Sequence, residues 1–213
     1  EPYTDLGFDQ VGNGGGESTY DAVLAISGAD AIVDWVRLEL RSSTSPSDLV
    51  CSRQALVQRD GDIVDTDGFS PVGFQVTDGN YYLVVRHRNH LGCMTAAPLA
   101  LTSSALSVDL RASSTATYGM EARKVVGDAR VLWMGNARID NEIKYTGADN
   151  DRDPILFRIG GMSTTDTAQG YYIEDCTMDG IVRYTGANND RDPILVNIVD
   201  SAVSTSFRQE QLP

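Results

Sequence analysis

The chain has 213 residues, of which 41% are hydrophobic, and it carries a formal net charge of −13. This length and hydrophobic content suit one large or two small folded domains. The acidic excess argues against nucleic acid and anionic membrane as partners, because both need a basic surface. It suits a protein that binds divalent cations, and equally a protein whose acidic surface only keeps it in solution.

Residues 1–20 are predicted to be an arm and a tether. The peptide EPYTDLGFDQ, which opens without Met as a processed terminus would, is followed by the glycine-rich stretch VGNGGGESTY. Tyr3, Leu6 and Phe8 provide apolar anchors for assembly. We expect this arm to pair with a sheet edge of a second copy of the protein. The alternative is an arm that folds back and closes an edge of its own domain.

Residues 21–118 are predicted to form an antiparallel, immunoglobulin-like β-sandwich, which makes the chain mainly β. The segment AIVDWVRLELRSS (31–43) alternates with a period of two and is rich in β-branched residues, as strands are. Further short strands follow, separated by the turns RDGD (59–62) and TDGN (77–80). Strands of this length and spacing are typical of a sandwich of about 100 residues.

Three cysteines are present, Cys51, Cys93 and Cys176, and none belongs to a Cys-x-x-Cys motif. This excludes a zinc ribbon and a thioredoxin motif. Cys51 and Cys93 lie in the same strand-rich half, so a disulfide between them stays open at this point.

Residues 119–213 contain an internal duplication. The phrase YTGADNDRDPIL (145–156) returns 39 residues later as YTGANNDRDPIL (184–195), with one difference in twelve positions. The full repeats run from about 135–160 and 174–199. Two copies are too few for a solenoid and predict a pseudo-twofold pair.

The second repeat has oxygen-bearing residues at the spacing of a calcium loop. We predict calcium as the cofactor. The ligands of this stronger site are Asp175, Thr177, Asp179, the Ile181 carbonyl, Asp190 and Asp192. The corresponding set in the first repeat is Asn136, Asp140, Glu142, Asp151 and Asp153. It is weaker because Arg138 stands where a ligand belongs, and its charge is expected to compete with the ion.

Helix capping is the alternative role for the later aspartates. Asp153 and Asp192 each precede a proline, and Asp at the N-cap with Pro at the first helical position starts many helices. Both roles can hold together, since a calcium loop leads into a helix. Asp151 and Asp190 are then the ligands, and Asp153 and Asp192 the caps.

These motifs carry a family resemblance. The paired oxygen-rich loops, each leading into a helix, resemble dockerin repeats. Over residues 30–213 the phrases VDWVRLELR, QRDGDIVD, NYYLVVRHRNHLGCMTA, VLWMG, both repeats and EQLP are similar to the C-terminal regions of secreted, hemagglutinin-like surface proteins of Bacteroidota. The resemblance implies a secreted, extracellular or cell-surface location and supplies no activity. Arg138, Asn141 and the insertion before Asp151 and Asp190 depart from the dockerin pattern.

No catalytic motif is recognisable, and we predict that the chain is not an enzyme. Gly-x-Ser-x-Gly, His-Glu-x-x-His and the P-loop are missing from the sequence. His87 and His90 are its two histidines, and beside Arg86 and Arg88 they favour a locally hydrogen-bonded loop over a metal site. A glycosidase with paired carboxylates stays open, although the acids of residues 60–68 favour a solvated turn or a third, weak calcium site over an active site.

The first functional hypothesis is a calcium-braced structural subunit of an extracellular filament, assembled from copies of itself through the N-terminal arm. The second is a dockerin-like anchoring module of a surface adhesin, whose partner is a surface protein or a glycan. No apolar run approaches the ~20 residues of a membrane span. Asp166-Thr167-Ala168 and Asp200-Ser201-Ala202 resemble the Bacteroidota O-glycosylation motif, which predicts glycans on Thr167 and Ser201.

Overall fold

The computed structural model describes residues 1–198 and 205–213. The prediction of a mainly β chain with antiparallel sheets is confirmed. In chain order the elements are α1 (Asp21–Leu24), β1 (Ile32–Ser42), β2 (Leu49–Gln58), β3 (Ile63–Val64), β4 (Gly79–Arg86), β5 (Cys93–Met94), β6 (Leu99–Leu101), β7 (Lys124–Val126), β8 (Ala129–Val131), β9 (Glu142–Lys144), α2 (Arg152–Arg158), β10 (Thr167–Gln169), β11 (Ile181–Arg183), α3 (Arg191–Ile198) and β12 (Phe207–Gln209). Ser201 lies outside the described residues. No helix in the described ranges is long and apolar enough to cross a membrane.

The strands between Ile32 and Leu101 all belong to one antiparallel sheet. Its order is β3-β2-β1-β4-β5, and β6 also pairs with β4. The long central strand β1 pairs with β2 on one side and with β4 on the other. The other paired strands of the described residues form two-stranded sheets: β7 with β8, β9 with β12, and β10 with β11.

The two faces of the six-stranded sheet differ in polarity because successive side chains of a strand point to opposite sides. One face carries a buried apolar cluster of Val36, Leu38, Ala55 and Val85. The opposite face carries Arg37 and Glu39 on β1 and Gln54 on β2, and these polar side chains are buried as well. Something must therefore cover the polar face, and the N-terminal arm is part of that cover.

The arm packs on its own sheet. Tyr3 is fully buried at 0% exposure, and its hydroxyl donates to the Trp35 carbonyl at 2.9 Å. The Ser52 amide of β2 donates to the Val11 carbonyl at 2.8 Å. A Cβ on Gly14 would lie 2.0 Å from the Ser52 carbonyl oxygen, so only glycine allows this approach.

This placement corrects the expectation that Tyr3, Leu6 and Phe8 contact a second copy. Strand β3 pairs with residues 56 and 57 of β2, which leaves the first half of β2 without a second neighbouring strand among the described residues. The arm of the same chain closes that edge, as sheet proteins commonly arrange. Phe8 adds an edge-to-face contact with Tyr3, with ring centroids 5.5 Å apart.

The repeats build a second core around a pseudo-twofold relation. Helix α3 of the second repeat packs on β9 of the first, and α2 of the first packs on β11 of the second. The shared core contains the equivalent pairs Ile143 with Val182, Ile155 with Ile194, and Ile159 with Ile198. Neither repeat buries its helix alone, which explains why the motif occurs twice.

The cysteines are all free and buried. Cys51 lies opposite Leu40 of β1, and Cys93 lies opposite Val85 of β4. Strands β1 and β4 separate them, which places their Cα atoms roughly 14 Å apart at ~4.8 Å per strand. A disulfide needs less than about 7 Å. The pairing left open by the sequence is therefore excluded in this fold.

Candidate functional site

The loop of the second repeat is organised by two buried aspartates. Asp175 accepts hydrogen bonds from the amides of Asp179 at 3.2 Å and Gly180 at 2.8 Å. Asp190 accepts from the amides of Thr177 at 2.9 Å and Arg183 at 2.7 Å. The Thr177 hydroxyl lies between the two carboxylates, 3.3 Å from Asp175 and 3.1 Å from Asp190. The structure thus brings three predicted ligands together.

The remaining predicted ligands of this loop are engaged elsewhere. The Asp179 carboxylate pairs with Arg183 at 2.6 Å. The Ile181 carbonyl accepts from the Arg183 guanidinium at 3.4 Å. Asp192 lies at the helix start, where it accepts from the Asn189 amide group at 2.9 Å and pairs with Arg191. Asp192 is therefore separated from the loop centre.

The first repeat has the same frame with a different centre. Asp151 accepts from the amides of Arg138 at 3.2 Å and Lys144 at 2.7 Å, as Asp190 does in the second repeat. Asn136 exchanges hydrogen bonds with the backbone of Asp140. Arg138 pairs with Asp149 at 2.9 Å and lies 3.5 Å from Asp140. A cationic side chain therefore occupies the acidic loop, as the sequence suggested.

The other predicted ligands of the first repeat point away from a common centre. Glu142 forms an ion pair with Lys144. Asp153 accepts from the Asn150 side-chain amide at 2.9 Å. Among residues 1–198 and 205–213 no group of three or more His, Cys, Asp or Glu side chains is arranged to hold a metal ion.

Helix starts in both repeats use asparagine, which corrects the assignment of Asp153 and Asp192 as caps. The Asn150 side-chain oxygen accepts from the amides of Arg152 at 3.1 Å and Asp153 at 3.2 Å. Asn189 accepts from the Asp192 amide at 2.9 Å. The helices begin one residue before each Asp-Pro pair, so these aspartates lie inside the first turn. Sequence reasoning missed the asparagines, although both repeats contain them.

The electrostatics of the two loops are alike. Burial raises the pKa of Asp151 to about 7, and Asp140 adds to the rise against the opposing amide hydrogen bonds. Burial also raises the pKa of Asp190, with Asp175 adding to it. In each loop the ionised aspartate is therefore disfavoured by its surroundings, and a nearby cation would favour it.

No protein-family model, no curated protein and no solved structure matches this chain.

Both helices expose an apolar side chain at the same repeat position. Phe157 on α2 is 83% exposed, and Val196 on α3, 39 residues later, is 67% exposed. The opposite side of each helix is buried in the shared core, through Ile155 and Ile159 next to α2's Phe157 and through Ile194 and Ile198 in α3. The pseudo-twofold relation places these two exposed side chains equivalently on the surface.

The two histidines lie together in the loop that follows β4. His87 contacts Asp34 at 3.0 Å through Nε2 and Asn89 at 3.1 Å through Nδ1. His90 lies 2.8 Å from His87, and burial, with help from His87 and Arg88, holds the pKa of His90 well below its usual range. This is the locally hydrogen-bonded loop that the sequence favoured.

Asp34 is the centre of the junction, and sequence reasoning did not single it out. Burial opposes its charge, but the contacts with His87 and Arg88 hold the pKa of Asp34 well below its usual range. Tyr171 donates its hydroxyl to Asp34, and Arg88 donates to the Tyr172 carbonyl. Asp34 is a polar residue in an otherwise apolar alternation, which was the available signal.

Proposed function

We propose that the chain is a non-catalytic, secreted anchoring module whose duplicated, dockerin-like C-terminal unit binds a partner protein. The observation that carries this proposal is the pair of exposed apolar side chains, Phe157 and Val196, at equivalent positions of α2 and α3. A single exposed apolar residue is ordinary. Here both helices of a pseudo-twofold unit expose an apolar side chain at the same position. This repetition favours a contact surface, because each repeat contributes one apolar anchor.

The proposal is tested by a double substitution, Phe157→Ser with Val196→Ser, in the purified chain. Both side chains are solvent-exposed, so the free energy of unfolding should change by less than about 0.5 kcal/mol. The immobilised wild-type chain should retain a single partner from a cell-surface extract in stoichiometric amount, and the double variant should lose it. The control is Phe69→Ser, at a residue 76% exposed after β3. Equal retention by all three proteins would refute the assignment.

Calcium is proposed as the brace of the second loop. The support is the convergence of Asp175, Thr177 and Asp190, together with the raised pKa of Asp190. Three side chains fall short of the six to eight oxygens that calcium takes. Calcium binding would require the Asp179 carboxylate to break its ion pair with Arg183, or main-chain carbonyls to turn toward the centre of the loop. The first loop holds Arg138 in the corresponding place, and we propose no ion there.

Isothermal titration of calcium into chelator-treated protein tests this brace. We expect one site per chain and a melting temperature that rises with calcium, because an ion bound only by the folded state stabilises it. Asp190→Asn should abolish the heat of binding, whereas Asp151→Asn, the matching change in the first repeat, should leave it intact. Absence of heat with wild-type protein would show that the amide hydrogen bonds alone close the loop.

The filament hypothesis remains a second candidate on a separate observation. The two-stranded sheet β7–β8 exposes Val125 at 58% and Val126 at 52%, and within the described part of the chain its two strands pair only with each other. An exposed edge with apolar side chains can accept a strand from a second copy. Electron microscopy of the purified chain should then show filaments that Val125→Lys abolishes. A monodisperse monomer at high concentration would remove this candidate.

Glycosylation is proposed for Thr167 on the resemblance of its motif. Thr167 is exposed on β10, so the residue is accessible to a transferase. The intact mass of protein from its native source should exceed the sequence mass by at least one glycan, and Thr167→Val should remove the mass of one glycan. A native mass equal to the bare sequence would reject the modification.

A further inference from the structure

Three polar side-chain atoms converge in the loop that follows β4. The Nδ1 atom of His87 lies 2.8 Å from the Nδ1 atom of His90. The Oδ1 atom of Asn89 lies 3.1 Å from the first nitrogen and 2.8 Å from the second. The two imidazole rings are nearly perpendicular, at 89°, so they do not stack in parallel. The three atoms form a compact triangle in which every corner contacts the other two.

Hydrogen bonds outside the triangle fix what two of its corners offer. His87 Nε2 lies 3.0 Å from the Asp34 carboxylate, which only accepts, so Nε2 carries the proton and a neutral His87 has an unprotonated Nδ1. The Asn89 amide nitrogen donates to the carbonyls of Ile173 at 3.2 Å and Asp175 at 2.9 Å. Oxygen is therefore the amide atom that faces the histidines. His87 Nδ1 and Asn89 Oδ1 are both acceptors, and they face each other 3.1 Å apart.

The protons inside the triangle do not satisfy these acceptors. Two neutral imidazoles with His87 protonated at Nε2 supply one N–H there, on His90 Nδ1, and it must serve both other corners. Opposed lone pairs are costly where water is excluded, and Asn89 is 1% exposed. A cation beside the triangle would attract all three lone pairs, with the His90 proton moved to Nε2. Neutral imidazole nitrogen, supported here by an amide oxygen, is a ligand that suits divalent zinc, nickel and copper.

The dimensions of the triangle fit such an ion. An ion ~2.1 Å from each corner, the usual distance from a metal to an imidazole nitrogen, would see the corners ~85–95° apart. These are the angles between neighbouring ligands of an octahedral ion, which leaves further positions for water. His87 and His90 line a cavity of about 340 Å³, so there is room for water and a path for an ion beside them.

The surrounding charges favour a cation more than the sequence suggested. Arg86 directs its guanidinium to two carboxylates, and Arg88 directs its own to Asp34. The positive charges beside the histidines are therefore paired. Histidines that bind metals commonly donate their other N–H to a carboxylate, which orients the ring and raises its basicity. Asp34 holds this position behind His87.

We propose that His87 Nδ1, His90 Nδ1 and Asn89 Oδ1 together bind a divalent first-row transition metal ion. The ion would stabilise the attachment of this loop to residues 173–175, because the Asn89 amide group contacts both the ion and the carbonyls of that segment. The site uses none of the side chains proposed for calcium, and it is separate from the exposed helix positions.

Isothermal titration of Zn²⁺ and Ni²⁺ into chelator-treated protein without a histidine tag tests the proposal. Both ions should give saturable heat at one site per chain and raise the melting temperature, whereas Mg²⁺, which prefers oxygen ligands, should do neither. His90→Phe keeps a ring and should weaken binding of both ions by more than ~100-fold, since even the loss of a hydrogen bond that supports a ligand costs ~10–100-fold. Asn141→Ala, at an exposed residue of the same cavity, is the matched control and should bind as the wild type does. Asp190→Asn should also leave this heat intact, which separates the site from the calcium loop.

Nuclear magnetic resonance of the histidine rings in the wild-type chain guards against a variant that misfolds. Zn²⁺ should shift the Nδ1 resonances of His87 and His90 more than their Nε2 resonances. Absence of saturable heat with wild-type protein, equal Zn²⁺ binding by His90→Phe, or larger shifts at Nε2 than at Nδ1 would each overturn the proposal.

Discussion

Tyr3 is the residue whose removal most directly tests how the N-terminal arm is held. Its side chain is fully buried, contacts the Phe8 ring and donates to the Trp35 carbonyl at 2.9 Å and the Arg86 carbonyl at 3.4 Å. Truncation of a buried aromatic side chain to alanine costs about 3–5 kcal/mol. Tyr3→Phe removes only the hydroxyl and its hydrogen bond, which costs about 1–2 kcal/mol.

Urea unfolding followed by circular dichroism measures both changes. We expect Tyr3→Ala to lower the free energy of unfolding by about 3–5 kcal/mol and the melting temperature by ~6–20 °C, at about 2–4 °C per kcal/mol for a chain of this size. Tyr3→Phe should lower the free energy of unfolding by about a third as much as Tyr3→Ala. The matched control is Tyr20→Ala, since Tyr20 is 74% exposed near the end of the same segment.

The reasoning fails if Tyr3→Ala unfolds within about 0.5 kcal/mol of wild type, the range of an ordinary surface change. That result would mean that the arm is not held by its own sheet. Combined with a loss of oligomers in sedimentation, it would restore docking of the arm on a second copy.

Three further predictions concern the repeats and the cysteines. Because the folded chain raises the pKa of Asp151 to about 7, it binds more protons than the unfolded chain between about pH 4 and pH 7. The free energy of unfolding should therefore fall as the pH rises through this window. Urea titrations at several pH values should show a shallower fall for Asp151→Asn than for the wild-type chain. The same pH dependence in both proteins would contradict the raised pKa of Asp151. Asn150→Ala and Asn189→Ala should each cost about 1 kcal/mol and add nearly independently, since each removes the acceptor at a different helix start; an equal or larger loss from Asp153→Ala, measured in the same way, would favour the aspartate as the cap. All three cysteines should resist alkylation in the folded chain and react fully after denaturation without reductant, since they are free and buried, and burial raises the pKa of Cys93 to about 11; a mass short of three labels would indicate a disulfide.

The sequence by itself determined the features that depend on neighbours along the chain. The alternation over residues 31–43 predicted β1, and the 39-residue repeat predicted two equivalent loop-and-helix units. The position of Arg138 predicted a cation inside the first loop, because local spacing places that side chain among its own acidic neighbours.

Only the tertiary structure decided features that depend on distant contacts. The composition of the arm suits a sheet edge in its own chain or in a second copy. The short strand β3 leaves part of the β2 edge open, and the arm of the same chain pairs there. The helix of each repeat packs on the strand of the other, which no single repeat can show.

The buried charges of β1 also depend on distant contacts. Arg37 and Glu39 occupy the alternate positions of β1 that a half-exposed sheet would turn to water, so the alternation alone does not predict their burial. The arm, the first repeat and residue Glu210 cover that face from three distant parts of the chain. Whether a charged side chain is buried depends on what packs over its strand. The strand's own pattern shows only which side chains share a face.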